Sequence, residues 1–429
     1  RLITLRSTVQ IRPPQPKFKQ SVMFMDKNKY FNLNLKSNNI LFIIFSFFPI
    51  AFLIGNSVIN IILFFIFLFY FISLYQEKIN FNFKDKIFLI LILFWLSLII
   101  NLIFSQNPIL SYPRVIKFFI IIFSVLSFVY IINSNNHRYE NKIYMSWTII
   151  LGIVILDLIF EYILGFNILG FQSYMPGRLA SFFGDELIAG NFFSAFSLIF
   201  LSFILNKFPK KNHLILVLAT TFILVSFLIG ERSNFIKTTL MILFFIYFAI
   251  DYAKKIKLLY FFILVFFIFL SINLNHHYKL RYVTQLKDIF QKNGIQNYLK
   301  KSQYGAHYDV AYKIFKENLI FGIGIKNFRV ESFKDKYKNR GSTHPHQIHF
   351  ELLSETGLFG YFSFLIFIIF SIYKSLESNF ANKNLYQFSG ILYICFALLP
   401  VLPSGSFFTT FSSGLFWINY SVMVAYIKN

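Results

Sequence analysis

The residues of this chain with the widest choice of chemistry lie together at 341–360, GSTHPHQIHFELLSETGLFG. This stretch carries His344, His346, His349, Glu351 and Glu355 just ahead of an apolar run at 361–372. An imidazole here could act as a general base, provided that it stays neutral near pH 7. Pro345 suits the first turn of a helix, where its missing N–H would be unpaired anyway, and Thr343 or His344 can cap. His346 is then expected in that first turn, where the positive end of the helix dipole disfavours imidazolium. Phe350, Leu353 and Gly357 follow at i+4, i+7 and i+11 on one face, and Gly357 with Gly360 would give a flat surface for close helix contact. A histidine at a helix mouth can equally be a cap or a packing residue. The three histidines do not have a specific metal-ligand spacing, so no metal and no cofactor is expected.

Two arginines are the next candidates. Arg232 stands in GERSN between two apolar runs, and Arg178 stands in GRLASFFGDE. An arginine in or beside a membrane span is costly, and its guanidinium fits phosphate oxygens bidentately. The structural alternatives are snorkelling or an ion pair with Glu231 for Arg232, and pairing with Asp185 or Glu186 for Arg178.

The elements that must hold these groups are membrane helices. Hydrophobic residues make up 56% of the 429 and charged residues only 14%, against roughly 25% charged in soluble domains. Apolar runs of roughly 17–22 residues suit helices across a hydrocarbon core, not short alternating barrel strands. They fall at 40–55, 57–75, 87–104, 115–133, 144–165, 187–206, 214–230, 234–252, 257–274, 350–373, 388–402 and 408–427. This predicts an all-α integral membrane protein with about twelve transmembrane helices. The pairs around Gly55–Asn56 and Pro400–Pro403 are the least sharply divided. Cys395 is the only cysteine, which excludes an intrachain disulfide.

Alternate connections carry Lys78, Lys84 and Lys86; Arg138 and Lys142; Lys207, Lys210 and Lys211; Lys254, Lys255 and Lys257; and Lys374 and Lys383. The positive-inside rule makes that side cytoplasmic, together with Lys27, Lys29, Lys36 and Lys428, so both termini are expected inside. Arg178, Arg232 and the histidines then emerge outside. So does the long loop, which over 275–349 holds 14 Lys and Arg against 5 Asp and Glu, a net +9. The excess is either tolerated, as long loops translocate despite charge, or an electropositive surface for an anionic ligand. Within the loop, 307–317 has helical spacing, and FGIGIKNF at 321–328 has the two glycines of a tight turn. The expected layout is a cytoplasmic segment at 1–38, spans 1–9 at 39–274, the outer loop at 275–349 and spans 10–12 at 350–429. The first 22 or so residues begin without Met, lack a signal-peptide core and read as sequence ahead of a start at Met23 or Met25.

On these residues the chain resembles the bacterial O-antigen ligase and O-antigen polymerase superfamily. His346–Gln347, nine residues, Gly357, two residues and Gly360 match that family's histidine signature. GRLASFFGDELIAGNFFS at 177–194, GERSNF at 230–235 and AYKIFKENLIFGIGIKNF at 311–328 resemble its other segments in order, over roughly residues 40–427. The resemblance implies a GT-C-like fold in the bacterial inner membrane with a helical periplasmic loop between spans 9 and 10. It also implies metal-independent glycosyl transfer on the periplasmic side, from undecaprenyl diphosphate to lipid A–core for a ligase or to a second lipid-linked glycan for a polymerase. His346 would be the base and Arg232 a diphosphate ligand, with Arg178, Arg329, His344 and Gln347 as further substrate contacts. Family members often carry an arginine roughly where Tyr304 stands here. Arg281, Arg329 or Arg340 would then supply the second cation, with Arg281 preferred. A transporter of lipid-linked glycan is the alternative of another class. It would need polar residues along the bundle, where Asp157 and Glu161 are the main ones, and Glu161 has no evident role in the sequence.

Overall fold

The computed structural model of the chain describes residues 37–427 apart from 77–80, 135–138, 185–187, 251–252, 286, 288–301, 338–339 and 401. The N-terminal segment to Lys36, Lys78, Arg138, Asp185, Glu186 and Lys428 therefore lie outside the described residues. Among the described residues every regular element is helical.

Twelve helices stand where the sequence has its apolar runs: α1 (Ser37–Ile54), α2 (Asn56–Gln76), α3 (Lys86–Ile103), α4 (Pro108–Asn133), α5 (Glu140–Leu164), α6 (Ala189–Lys207), α7 (Asn212–Leu228), α8 (Arg232–Ala249), α9 (Lys254–Leu274), and, after a loop helix α10 (Gln303–Glu317), α11 (Ile348–Asn382), α12 (Leu385–Ala397) and α13 (Thr410–Val424). Eight of them, α1–α6, α9 and α11, are long and apolar enough to cross a membrane. Of the others, α8 is as long as α1 but carries Arg232, Asn234 and Lys237 in its first turns, while α7, α12 and α13 are short: Gly230–Glu231 ends α7, and Pro400 and Pro403 keep the chain out of helix between α12 and α13. Length and apolarity alone thus support eight spans and not the expected twelve.

Local chemistry sets the ends. Asp85 caps α3 by accepting from the Ile87 and Phe88 N–H groups at 2.7 and 3.0 Å, and Ser302 caps α10 through Gly305 N at 3.0 Å. Packing sets the interior. In α13 every residue but Ser412 is buried. Small residues let its neighbours approach: a Cβ on Gly390 of α12 would come within 2.6 Å of Met423 N. Polar groups inside the bundle are tied across helices, as with Ser202–Ser389 at 2.6 Å and Ser371–Tyr420 at 2.8 Å. By contrast α9 buries only Leu264 and turns Phe262, Phe266 and Phe269 outward, a face suited to lipid.

Candidate active site

His346 is not in the first turn of a helix. It has φ +59°, two residues before α11 begins at Ile348, and Gln347 is the cap, its side-chain oxygen accepting from Phe350 N at 3.0 Å. The proline does not start the helix, because the backbone reverses at His346 before the helical turn is taken up. A non-glycine residue held in the left-handed region is strained, and such strain persists where surrounding structure imposes it. Here the His346 carbonyl accepts from Ser404 N at 2.8 Å, which pins the reversal to the loop between α12 and α13.

The imidazole lies in an aromatic nest. His344 packs against it at a tilt with 3.9 Å between ring centroids, His307 of α10 stacks on it at 5.4 Å, and Tyr304 meets it edge-on at 5.5 Å. Its Nε2 is 3.3 Å from Ser342 Oγ, and among the described residues Nδ1 has no hydrogen-bond partner. Burial, then the His307 charge, pulls the His346 pKa down to about 4, and burial with His346 and Lys326 pulls His344 to about 3. Both rings are therefore neutral near pH 7. Their neutrality comes from burial among other cationic groups, not from the helix dipole that the sequence favoured. Tyr304, at the place where the resemblance would put an arginine, serves as a wall of this nest. His349 has a different role: its Nε2 is 2.8 Å from the Leu398 carbonyl and its Nδ1 3.1 Å from Tyr361 Oη. The carbonyl can only accept, so Nε2 carries the proton and Nδ1 accepts from the tyrosine.

The glycines after the histidine hold this region in register. α11 is kinked at Gly357, which has φ 64° and ψ −168°. A Cβ there would overlap the Ile320 carbonyl oxygen and come within 2.5 Å of Gly322 N. The glycine faces the 318–324 turn and not a flat helix–helix contact. Four backbone hydrogen bonds interlock the two segments: Leu358 N to Leu319 O, Phe359 N to Ile320 O, Ile323 N to Ser354 O and Gly324 N to Glu355 O, at 2.8 to 3.1 Å. The FGIGIKNF turn expected from its glycines is present, with Gly322 and Gly324 both at positive φ.

Three arginines distant in sequence meet at one place. Arg281 Nε donates to Gly230 O at 2.6 Å, and Arg232 Nη1 lies 3.5 Å from Arg281 O. Arg178 Nη2 forms an ion pair with Glu231 at 3.2 Å. Burial and then the Arg178 and Arg232 charges pull Arg281 below the usual arginine range, as expected when like charges are held together. Glu231 therefore partners Arg178, not Arg232, and it also accepts from Gly190 N at 3.0 Å and from Asn234. Burial pushes its carboxyl up, against the pull of Arg178. The two carboxylates on α5 have a clear task here. Glu161 accepts from the Ala180 and Ser181 N–H groups at 2.7 to 3.1 Å, and Asp157 from Ser181 Oγ at 2.6 Å and Ile168 N at 2.8 Å. They fix the strand of chain that delivers Arg178.

A cavity of about 60 Å³ lies between α6, α8 and the loop that holds His346. Asn191, Asn234 and Lys237 line it from the arginine side, and Ile348 with Ser404 and Ser406 from the histidine side. Lys237 Nζ donates to Pro403 O at 2.9 Å and ties α8 to the loop that holds His346. The remaining candidates fall elsewhere. Arg340 makes an exposed pair with Asp309 at 3.3 Å. Arg329 is exposed on the turn after Lys326, near His344 and apart from the arginine trio. Sequence reasoning missed Arg114, Lys326 and His307. The first could have been found as a cation in the first turns of an apolar run, but a single buried lysine in a turn carries no such signal. Among the described residues no three His, Cys, Asp or Glu side chains converge as a metal would require.

No curated protein matches this chain. Residues 214–365 match the family model described as O-antigen ligase. The matched stretch runs from α7 through Arg232, Arg281 and the histidine nest to the kinked first part of α11, so that this part of the chain is similar to the O-antigen ligase family.

Proposed function

We propose that this protein moves a glycan from undecaprenyl diphosphate to lipid A–core at the periplasmic face of the bacterial inner membrane. The observation that carries this reading is the meeting of Arg178, Arg232 and Arg281 in one group, in a chain whose α8 is tied through Lys237 to the loop that holds a neutral His346. The arginine trio holds the donor diphosphate. The acceptor hydroxyl attacks the anomeric carbon, its proton passes to His346, and the bond from that carbon to the diphosphate oxygen breaks. The electron pair leaves on undecaprenyl diphosphate, and in-line attack inverts the sugar carbon. Fixed guanidinium groups stabilise the charge that develops on the leaving group, the role a divalent ion has in other phosphate chemistry. Anion in the trio also raises the basicity of the imidazole, so His346 is a weak base in the free protein and a better one in the loaded complex.

In this reading all twelve helices cross the bilayer, with both termini cytoplasmic, 39–274 and 350–429 as the membrane part and 275–349 as the periplasmic loop. Short helices are tolerated at membrane depth where the non-helical backbone is buried in protein or lines a cavity. The 398–409 stretch, which contributes Ser404–Phe407 to the cavity wall, fits that condition.

The test is His346→Ala expressed in a strain lacking its own ligase. Loss of glycan transfer with normal membrane insertion is expected; retained transfer removes His346 as the base. Parallel complementation of a strain lacking the polymerase, read by the lipopolysaccharide ladder, separates the ligase from the polymerase: rescue of chain extension alone would make the acceptor a second lipid-linked glycan.

A further inference from the structure

A second cationic group lies on the other side of the histidine nest and is not used by the step above. Ser111, in the first turn of α4, donates its hydroxyl to Ile325 O at 2.8 Å, and Asn327 Nδ2 lies 3.0 Å from both Ser105 and Ser111. These bonds seat the 325–327 turn on the start of α4, so that Arg114, one turn along from Ser111, faces the segment bearing Lys326 and Arg329. Lys326 is buried in a left-handed conformation, with its Nζ donating to Ser406 Oγ at 2.8 Å. Ser406 also bonds Glu351, which accepts from Phe407 N at 2.8 Å, while Glu355 accepts from Phe328 N at 3.4 Å. Among the described residues neither the Arg114 nor the Arg329 guanidinium makes a hydrogen bond or an ion pair. Arg114 and Lys117 line a small void of about 10 Å³ with Phe407 and Phe408. The two carboxylates offset only part of the charge of Arg114, Lys117, Lys326 and Arg329, and Lys117 is held by Asn60 and Thr410. The half-buried, unpaired Arg114 guanidinium beside a buried ammonium is costly without an anion to bind, and the exposed Arg329 adds a cation that an anion arriving from solvent meets.

We infer that Arg114, Lys326 and Arg329 form a second anion subsite that binds a phosphate group on the acceptor and brings its hydroxyl to His346. The inference rests on the proposed glycan transfer. It assigns the donor diphosphate to the arginine trio and the acceptor phosphate to this group, which is next to His344 and so beside the base. The phosphate could belong to lipid A–core or to the diphosphate of a second lipid-linked glycan.

The experiment uses the full chain in lipid nanodiscs with saturating donor and three acceptors: lipid A–core with its phosphates, the same acceptor after phosphatase treatment, and a lipid-linked glycan. Arg114→Gln and Arg329→Gln should each raise the half-saturating concentration of the phosphate-bearing acceptor about tenfold, the worth of one charge-assisted contact, with the donor KM unchanged. Removing the phosphate should produce the same rise with the unaltered protein and no further rise in the variants. The acceptor that shows this pattern identifies the source of the phosphate. Arg114→Lys should recover part of the loss. Equal use of phosphorylated and dephosphorylated acceptor, or a rise in donor KM instead, overturns the subsite. Direct binding of phosphorylated lipid A–core and of the lipid-linked glycan to His346→Ala separates the two ideas. If the unaltered protein performs no transfer but His346→Ala binds one of them in an Arg114-dependent way, the transfer reading fails and the subsite stands; if neither binds, the subsite fails.

Discussion

Gly357→Ala tests whether the spacing from the histidine to the glycines is a packing requirement. At φ 64° and ψ −168° the backbone occupies a region that is almost confined to glycine, and a Cβ there costs about 1–3 kcal/mol. The same Cβ would overlap Ile320 O, so the 318–324 turn must retreat. That turn is held to α11 by four backbone hydrogen bonds, and losing two at about 1 kcal/mol each brings the total to about 3–5 kcal/mol. The measurement is unfolding by denaturing detergent in mixed micelles, followed by tryptophan fluorescence. Gly152→Ala in α5 is the control. Nothing lies within 4 Å of its Cβ position, and the change should be neutral or stabilise by up to about 1 kcal/mol. A Gly357→Ala loss below about 1 kcal/mol, or one matching the control, refutes the interlock. Because the displaced turn leads directly into the 325–327 turn that bears Lys326, transfer should fall as well in membranes where the variant remains folded.

The pH dependence follows from His346. With its pKa held to about 4 in the free protein, kcat/KM should stay level from neutrality to about pH 5 and fall only below that, with the inflection in kcat lying higher because bound donor favours the imidazolium; an inflection of kcat/KM near 6.5 would contradict the burial argument. A histidine kept neutral by folding protonates first in the unfolded chain, so its contribution to stability is complete above about 6.5 and declines as pH falls toward 4, measurable as a lowered melting temperature. Arg232→Lys keeps the charge and loses the fork, so donor turnover should drop at least about tenfold; unchanged turnover removes Arg232 from diphosphate binding. Glu161→Ala leaves the Ala180 and Ser181 N–H groups unpaired, at about 1–3 kcal/mol each, and releases the segment bearing Arg178. Donor KM should rise while acceptor KM holds, and equal changes in both would argue for general loosening of the fold.

The helices were legible because a membrane demands long apolar runs and paired backbone, and every run marked in the sequence corresponds to a helix. The number of crossings was less legible. Arg232 and Lys237 lower the apolarity of α8, and the prolines before α13 limit length, in elements packed against neighbouring helices that need not satisfy the rule alone. Arg178, Arg232 and His346 were legible as costly polar residues at the ends of apolar runs. Their partners were not: Glu231 stands next to Arg232 in sequence yet bonds Arg178, because backbone direction at the start of α8 turns its side chain toward α6.

The sequence by itself determined the helical class, since that depends on composition and the length of the apolar runs, and it marked His346 among three histidines through the resemblance to a family signature. Only the tertiary structure decided that Arg281 joins Arg178 and Arg232, that Glu161 and Asp157 hold the segment carrying Arg178, and that Gly357 serves an interlock with the 318–324 turn. It also decided that His346 is neutral through burial in a left-handed turn outside the helix. Those facts depend on contacts between segments up to about a hundred residues apart, which helical periodicity and charge pattern do not encode.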